Sequence, residues 1–261
     1  MSQLILKTRI NAVTYTDVCD RIQSLTQVSQ SSYIVAANVH VVMLAYWQPA
    51  YDHILSKATL ITPDGMPLVW GIRLLKGNQQ SRVYGPDLML AWCGRAAKAG
   101  LSVYLYGSTK DTLTKLSQNL KSKFPELIIA GMHSPPFRPL TVVEEAEDAK
   151  RINDSRASVV LVGLGCPKQE EWMYRQLGQV NAVMIGVGAA FRFHSGEVQQ
   201  APKWMRERGL EWLFRLIEEP KRLWKRYAST NLAFIVLFSF QIIQQETKKI
   251  QKVIEELKFS S

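Results

Sequence analysis

The pattern of apolar and polar positions predicts strands that alternate with helices over about the first 200 residues. The predicted strands, short and rich in β-branched residues, cover residues 32–37, 58–62, 103–106 and 127–130. The predicted helices, with apolar positions at helical spacing, cover residues 41–46, 88–99, 111–124 and 142–153. Such alternation is typical of an α/β fold with a doubly wound, mostly parallel sheet.

Two further apolar runs each break into glycines. The first, VVLVGLGCPKQEEW, covers residues 159–172, and the second, AVMIGVGAAFRF, covers residues 182–193. A helical segment separates them, so they form a strand–helix–strand unit whose glycine-lined ends lie side by side. Ligands, often nucleotides, bind at such strand ends in parallel sheets. We therefore expect the backbone of Gly163, Gly186 and Gly188 to approach a bound nucleotide.

Two common nucleotide motifs are missing from this unit. In GLGCPK, Lys168 stands where GxGxxG requires its third glycine, which disfavours a nicotinamide dinucleotide. The sequence also has no GxxxxGK[ST], so it is not a P-loop enzyme. Tight turns without a ligand are the alternative explanation for the glycines, but two adjacent glycine loops favour a ligand.

Beyond residue 200 the chain becomes basic and then apolar. Residues 201–227 hold eight Lys and Arg against four Glu, and residues 203–218 are predicted to be helical. The apolar run NLAFIVLFSFQII at 231–243 follows, and a polar helix comes after it. We therefore divide the chain into a nucleotide-handling core, residues 1–200, and a helical C-terminal appendage, residues 201–261.

The apolar run leaves two interpretations open. As a helix its roughly 12 residues span about 18 Å, short of the ~30 Å of hydrocarbon in a bilayer, so it cannot cross alone. The basic residues before it, with Trp224 and Tyr227, suit a helix that lies at a membrane surface. Alternatively, the run packs on the core or on another subunit of a homo-oligomer.

The net charge limits the kinds of partner, and the cysteine usage limits the cellular compartment. The formal net charge of +10 over 261 residues implies an anionic partner: a phosphate-bearing ligand, an anionic membrane or nucleic acid. No nucleic-acid motif is recognisable, so we expect no nucleic acid, and a nucleotide- or nucleic-acid-binding module is the alternative function. Three cysteines without a CxxC pair, and an N-terminus without a long apolar core, favour the cytosol.

Few residues suggest catalysis by position alone. Asp64 stands in a Pro-Asp-Gly turn at a strand end, where a carboxylate can act as a general base, although such residues more often bond their own backbone. Gln169 and Glu170 follow a proline at a predicted helix start, whose free amides suit phosphate or a base edge. Helix capping is the alternative role for Glu170.

We expect no metal site, because the four histidines lack metal-ligand spacing and the sequence has no DxD motif. Cationic side chains would then have to neutralise a bound diphosphate. The candidates are Arg215, Arg222, Lys225 and Arg226. In one continuous helix, 215, 222 and 226 would share a face, although Pro220 interrupts the segment. A solvated or lipid-facing basic surface is the alternative.

Five motifs carry a resemblance to a known family. They are TPDGMPLVW (62–70), RVYGPDLM (82–89), VGLGCPKQEEW (162–172), GVGAAF (186–191) and APKWMRERGLEWLFRLIEEPKRLWKR (201–226). In this order and spacing they resemble the WecG/TagA/CpsF glycosyltransferases, family 26. The resemblance covers nearly the whole chain through residue 226.

The resemblance implies a Rossmann-like enzyme that needs no cofactor or metal. Such enzymes transfer a sugar from a UDP-sugar, with inversion, to a polyprenyl-diphosphate-linked acceptor. They serve teichoic acid, enterobacterial common antigen or capsule synthesis. We accordingly expect a cytoplasmic protein that is peripherally associated with the inner face of the cell membrane through its C-terminal segment.

The resemblance also assigns roles to individual residues. Asp64 matches the family's catalytic base, Gln169 a residue at the donor sugar, and Arg82 a residue on the acceptor side. The C-terminal basic positions thought to close over the diphosphate are matched by Arg215, Arg222 and Lys225.

Two positions depart from the family pattern. Asn38 of the first strand motif is kept, but Ala36 stands where many members have threonine, which puts the usual sugar specificity in doubt. Arg192 replaces the acid of the common AFDF. An inactive family member that acts as a scaffold is the alternative that these two departures suggest.

Overall fold

A computed structural model describes residues 2–28, 31–77 and 79–259, except the side chains of residues 76, 222, 249 and 252–259. The strands are β1 (Ser2–Ile5), β2 (Thr8–Asn11), β3 (Ser32–Ala37), β4 (Leu60–Pro63), β5 (Ser102–Tyr106), β6 (Ile128–His133), β7 (Val159–Val162) and β8 (Val183–Gly186). The helices are α1 (Tyr15–Gln27), α2 (Val39–Trp47), α3 (Pro49–Ser56), α4 (Met66–Lys76), α5 (Gly85–Ala99), α6 (Lys110–Lys123), α7 (Val142–Asp154), α8 (Lys168–Arg175), α9 (Ala190–His194), α10 (Lys203–Glu207), α11 (Glu211–Glu218) and α12 (Pro220–Phe259).

Strands β3 to β8 form one parallel sheet in the order β4-β3-β8-β7-β5-β6, which confirms the predicted α/β, Rossmann-like fold. The central strands are apolar and buried because helices cover both faces. One core, around Trp172, lies under α2, α3, α8 and α12, and the other, around Trp92, lies under α1, α5, α6 and α9.

Several parts of the structure differ from the predicted pattern, and helices α1, α3 and α4 were not predicted. The antiparallel hairpin of β1 and β2 was not predicted, because its strands SQLI and TRIN are short and contain no apolar run like those of the parallel sheet. The single helix predicted over residues 203–218 is wrong: α10 and α11 are separate, and Gly209 between them has φ +74°. A Cβ on Gly209 would lie 3.0 Å from the Trp70 ring, so the chain turns there in close contact with α4.

Helix α12 contains the whole apolar run and packs on the core with one face. Phe234 and Phe238 are buried there against the same core as α2. At Gln241 the side chain binds the β1–β2 hairpin: its amide donates to the Leu4 carbonyl at 2.9 Å, and its oxygen accepts from the Leu6 N–H at 2.7 Å. Helix α12 thus joins residues that are about 235 positions apart.

The opposite face of α12 is apolar and exposed. The exposed side chains are Leu232, Ile235, Val236, Phe240 and Ile243. The apolar run alone is too short to cross a bilayer, but the segment Leu223–Lys248 is long and apolar enough by length and composition. That is weak evidence of a membrane span, because core helices pass the same test.

The two faces of α12 predict different costs for the same substitution. Phe234 is 3% exposed and Phe240 is 60% exposed. Phe234→Ala should lower the free energy of unfolding by about 3–5 kcal/mol, because it leaves a cavity in the core. Phe240→Ala, the matched control, should change it by less than about 0.5 kcal/mol. Urea denaturation measures both, and equal effects would contradict the packing of α12.

Candidate active site

A cavity of about 340 Å³ opens at the carboxyl edge of the sheet, beneath α11 and the first turns of α12. Nine of the predicted site residues line it: Asn38, Asp64, Arg82, Gly163, Gln169, Glu170, Gly186, Gly188 and Arg215. Lys225 is not among the lining residues, and the side chain of Arg222 lies outside the described part of the chain. The structure therefore gathers most of the predicted site around one cavity.

The glycines at the strand ends make room for neighbouring side chains. A Cβ on Gly163 would lie 2.5 Å from the Phe191 ring, and one on Gly186 would lie 3.0 Å from the Gln169 amide nitrogen. Gly188 has φ +53°, which a larger residue adopts only with strain. These glycines are thus required by the packing of the cavity wall itself.

Asp64 follows β4 directly, and its backbone N–H donates to the Ala37 carbonyl at 2.8 Å. Its carboxylate bonds residues that lie far along the chain. Oδ1 accepts from Arg82 Nη2 at 3.3 Å and, over a long 3.4 Å, from the Gly85 N–H. The side chain is only 15% exposed. Asp64 is therefore held at the cavity by contacts beyond its own turn.

Burial raises the pKa of Asp64 to about 6. The Arg82 guanidinium opposes this shift, and the Glu211 carboxylate adds to it. A carboxylate whose pKa lies near neutral pH accepts a proton more readily than a solvated one, which suits a general base.

Arg82 is held by residues that the sequence analysis did not assign. Its Nη2 donates to Glu211 Oε2 at 2.7 Å, and its Nε donates to the backbone carbonyl of Asp64. The Tyr84 hydroxyl donates to Glu211 Oε1 at 2.9 Å. Glu211 was missed because a glutamate in the first turn of a helix is ordinarily explained by the helix dipole.

Gln169 and Glu170 are buried together at the start of α8. The Gln169 amide donates to Glu170 Oε1 at 2.8 Å, while its oxygen accepts from the Gly165 N–H at 3.2 Å. Burial raises the pKa of Glu170 to about 7, although hydrogen bonds from Gln169, Tyr51 and Cys166 lower it in part. Gln169 thus lines the cavity with its side-chain amide held by hydrogen bonds at both the nitrogen and the oxygen.

Basic and aromatic side chains from the appendage cover the cavity. Arg215 of α11 and Arg226 of α12 both line it, with Trp212 and Tyr227 beside them. The Arg226 guanidinium lies 5.2 Å from the Tyr227 ring centroid. Because α11 ends before Pro220, Arg215 does not share a continuous helix with Arg226.

The side chain of Lys225 lies beside an aromatic ring and is not among the residues that line the cavity. Its ammonium lies 5.7 Å from the ring centroid of Trp224, which is exposed. The role of Lys225 at a diphosphate therefore stays a prediction from the resemblance.

Both departures from the family pattern lie at the cavity. Ala36 is part of its wall. Arg192 lines it too, and its Nη1 donates to Glu219 Oε1 at 3.3 Å, at the end of α11. Over the described residues, no three His, Cys, Asp or Glu side chains are grouped as a metal site.

Comparison with known proteins identifies the family of this chain. The model of the "Glycosyl transferase WecG/TagA/CpsF family" matches residues 3–248. The chain is therefore a glycosyltransferase, and it belongs to the WecG/TagA/CpsF family, as its motifs predicted.

Three relatives are named N-acetylglucosaminyldiphosphoundecaprenol N-acetyl-beta-D-mannosaminyltransferase. The protein of Bacillus subtilis is 34% identical over 218 residues, which are 83% of this chain and 80% of that protein. The Bacillus spizizenii protein is 34% identical over 203 residues, 77% of this chain and 76% of its own. The Staphylococcus aureus protein is 29% identical over 227 residues, which are 87% of this chain and 85% of that protein.

The raised pKa of Glu170 predicts a pH-dependent stability. The folded protein holds this proton up to about pH 7, whereas an unfolded chain releases it near the usual value of 4.5. Stability should therefore fall as pH rises through this window, by about 3 kcal/mol at pH 8.

Glu170→Gln keeps the shape of the side chain but cannot ionise, so it should be more stable than the natural protein at pH 8 and not at pH 4. Urea midpoints at both pH values measure this, with Glu171→Gln on the same helix as the control. An equal gain at both pH values would contradict the assignment.

Proposed function

We propose that this protein transfers a sugar from a UDP-sugar to a polyprenyl-diphosphate-linked saccharide, in the synthesis of a bacterial cell-surface polysaccharide. The relatives' names support an N-acetylmannosaminyl donor and an N-acetylglucosaminyl-diphosphoundecaprenol acceptor as the first pair to test. The observation that carries the proposal is the poorly exposed carboxylate of Asp64, which lines one cavity together with Arg215 and Arg226.

The proposed reaction is a single inverting displacement. Asp64 takes the proton from the acceptor hydroxyl, and that oxygen forms a bond to the anomeric carbon of the donor. The bond from this carbon to the diphosphate oxygen breaks, and UDP leaves with the electron pair. Attack from the face opposite the leaving group inverts the anomeric centre. No residue of the chain is modified, and Asp64 returns its proton to solvent.

The appendage stabilises the charge that develops on UDP. Arg215 and Arg226 lie over the cavity, where a guanidinium fixed in a poorly hydrated site interacts strongly with a diphosphate. On this proposal Gln169 contacts the donor sugar and Asn38 caps α2 beside it, where the Asn38 side chain accepts from the His40 N–H at 3.0 Å. Metal independence is part of this proposal, since the cations replace the metal.

We further propose that the exposed apolar face of α12 lies on the inner surface of the cell membrane. The acceptor is lipid-borne, so the cavity must lie close to lipid. Trp212 and Trp224 are exposed on the same appendage, and aromatic side chains favour the interface. A homo-oligomer that covers this face is the alternative.

Asp64→Asn tests the catalytic base. The change removes the proton acceptor and keeps the shape, so kcat should fall by about 10²- to 10⁴-fold while donor binding persists. UDP release and calorimetric donor binding measure the two effects. The exposed Asp111→Asn on α6 serves as the control.

In the unmodified protein, kcat/KM should fall below about pH 6, where Asp64 becomes protonated. Turnover by Asp64→Asn at a normal rate would exclude this residue as the base.

Arg226→Gln tests the covering cations. Loss of a charge-assisted contact with the diphosphate should lower kcat/KM for the donor by about 10- to 100-fold. Lys221→Gln, on the exposed part of the same helix, should have no such effect. If Lys225→Gln is the more damaging variant, the ammonium and not the Arg226 guanidinium contacts the diphosphate.

A further inference from the structure

Glu211 joins the appendage to the core through a buried carboxylate. It is the first residue of α11, and only 8% of it is exposed. Each carboxylate oxygen accepts one hydrogen bond from the core, Oε2 from Arg82 and Oε1 from the Tyr84 hydroxyl. A buried carboxylate is stable only when it is paired in this way, so α11 is docked through these two bonds.

Arg82 is shared between two carboxylates. Its Nη2 lies 2.7 Å from Glu211 and 3.3 Å from Asp64, so the shorter, stronger contact is the one to the appendage. The guanidinium carbon also lies 4.1 Å from the centroid of the Tyr84 ring. These contacts hold Arg82 beside Asp64 without a close, bidentate ion pair.

We propose that Glu211 is a positioning residue of the transfer reaction: by holding Arg82, it keeps the Asp64 carboxylate free to accept a proton while α11 is docked. This inference rests on the proposed function, because it takes Asp64 as the base. It adds that the appendage controls the base itself, besides covering the diphosphate.

The charges around Asp64 determine whether a change at Glu211 raises or lowers the pKa of Asp64. Arg82 and Arg215 lower its pKa, whereas Glu211 raises it. His40 lines the same cavity, and burial lowers its pKa to about 4. The hydroxyls of Tyr15 and Tyr84 also interact with Asp64, and burial raises both of their pKa values, Tyr15 to about 12. Both therefore stay neutral at physiological pH.

Loss of the Glu211 charge removes one anion and releases Arg82 toward Asp64. Both changes lower the pKa of Asp64 and make it a weaker base. A merely structural role for Glu211 would instead loosen α11 and reduce activity equally at every pH.

Glu211→Gln separates these roles, with Glu218→Gln on the exposed side of α11 as the matched control. The assay uses UDP-N-acetylmannosamine and a short-chain polyprenyl-diphospho-N-acetylglucosamine. The acid limb of kcat/KM should move from about pH 6 to lower pH by roughly 0.5–1 unit. At the plateau kcat should fall about tenfold, since the base is weaker, and KM for the donor should change less.

A second measurement needs no turnover. Carboxyl ¹³C NMR of protein labelled in aspartate follows the titration of Asp64, whose signal is assigned by its loss in Asp64→Asn. The titration midpoint should fall in Glu211→Gln and stay in Glu218→Gln. A midpoint unchanged in Glu211→Gln overturns the proposal, whatever happens to activity.

The two readouts together distinguish this proposal from the proposed function. A shifted titration with an unshifted acid limb means that Glu211 controls the Asp64 carboxylate, while Asp64 is not the base. If Glu211→Gln does not fold, Glu211→Asp replaces it, because the shorter side chain keeps the charge but loses contact with Arg82. Its Asp64 midpoint should fall by a smaller amount, and an unchanged midpoint again overturns the proposal.

Discussion

Strand β3 pairs in parallel with β4 on one side and with β8 on the other, and this pairing determines what meets at the cavity. Ala37 lies opposite Pro63, and Val35 lies opposite Gly186. The residues that follow these strand ends therefore emerge at one edge, where Asp64 faces the glycine turn after β8. A slip of one residue would turn each side chain to the other face of the sheet. Because β3 is buried on both faces, close packing of its side chains, and not an alternation of apolar and polar residues, fixes the register that places the site.

The cavity has acidic groups in its floor and basic groups in its cover. Asp64 and Glu170 come from the sheet and its first helical turns, and both have a raised pKa because they are buried. Arg215 and Arg226 come from the appendage. Asp64 is paired with the Arg82 guanidinium, whereas Glu170 is held by the neutral side chains of Gln169, Tyr51 and Cys166.

The sequence predicted the sheet well and the site only in part. Apolar runs such as residues 159–162 identify buried strands because nothing but burial explains them. The five motifs contain most of the residues that line the cavity, including Asp64 and Gln169. Glu211 could not be found, because its role comes from a contact 129 positions away and its local pattern is that of an ordinary first-turn glutamate. Pro220 marked the break between α11 and α12, but the direction in which the basic residues face depends on how the two helices pack, which no local pattern shows.

The bonds between Gln241 and the β1–β2 hairpin have a consequence for how the chain is made. The hairpin is synthesised before the parallel sheet, yet the amide that binds its backbone is synthesised roughly 235 residues later. Contacts of such separation form late, after the local strand–helix units. Until α12 is synthesised, the Leu4 carbonyl and the Leu6 N–H of the hairpin therefore lack the partner that Gln241 provides. The helices that cover the cavity follow the strands of the sheet along the chain, so the site is assembled only once α12 docks.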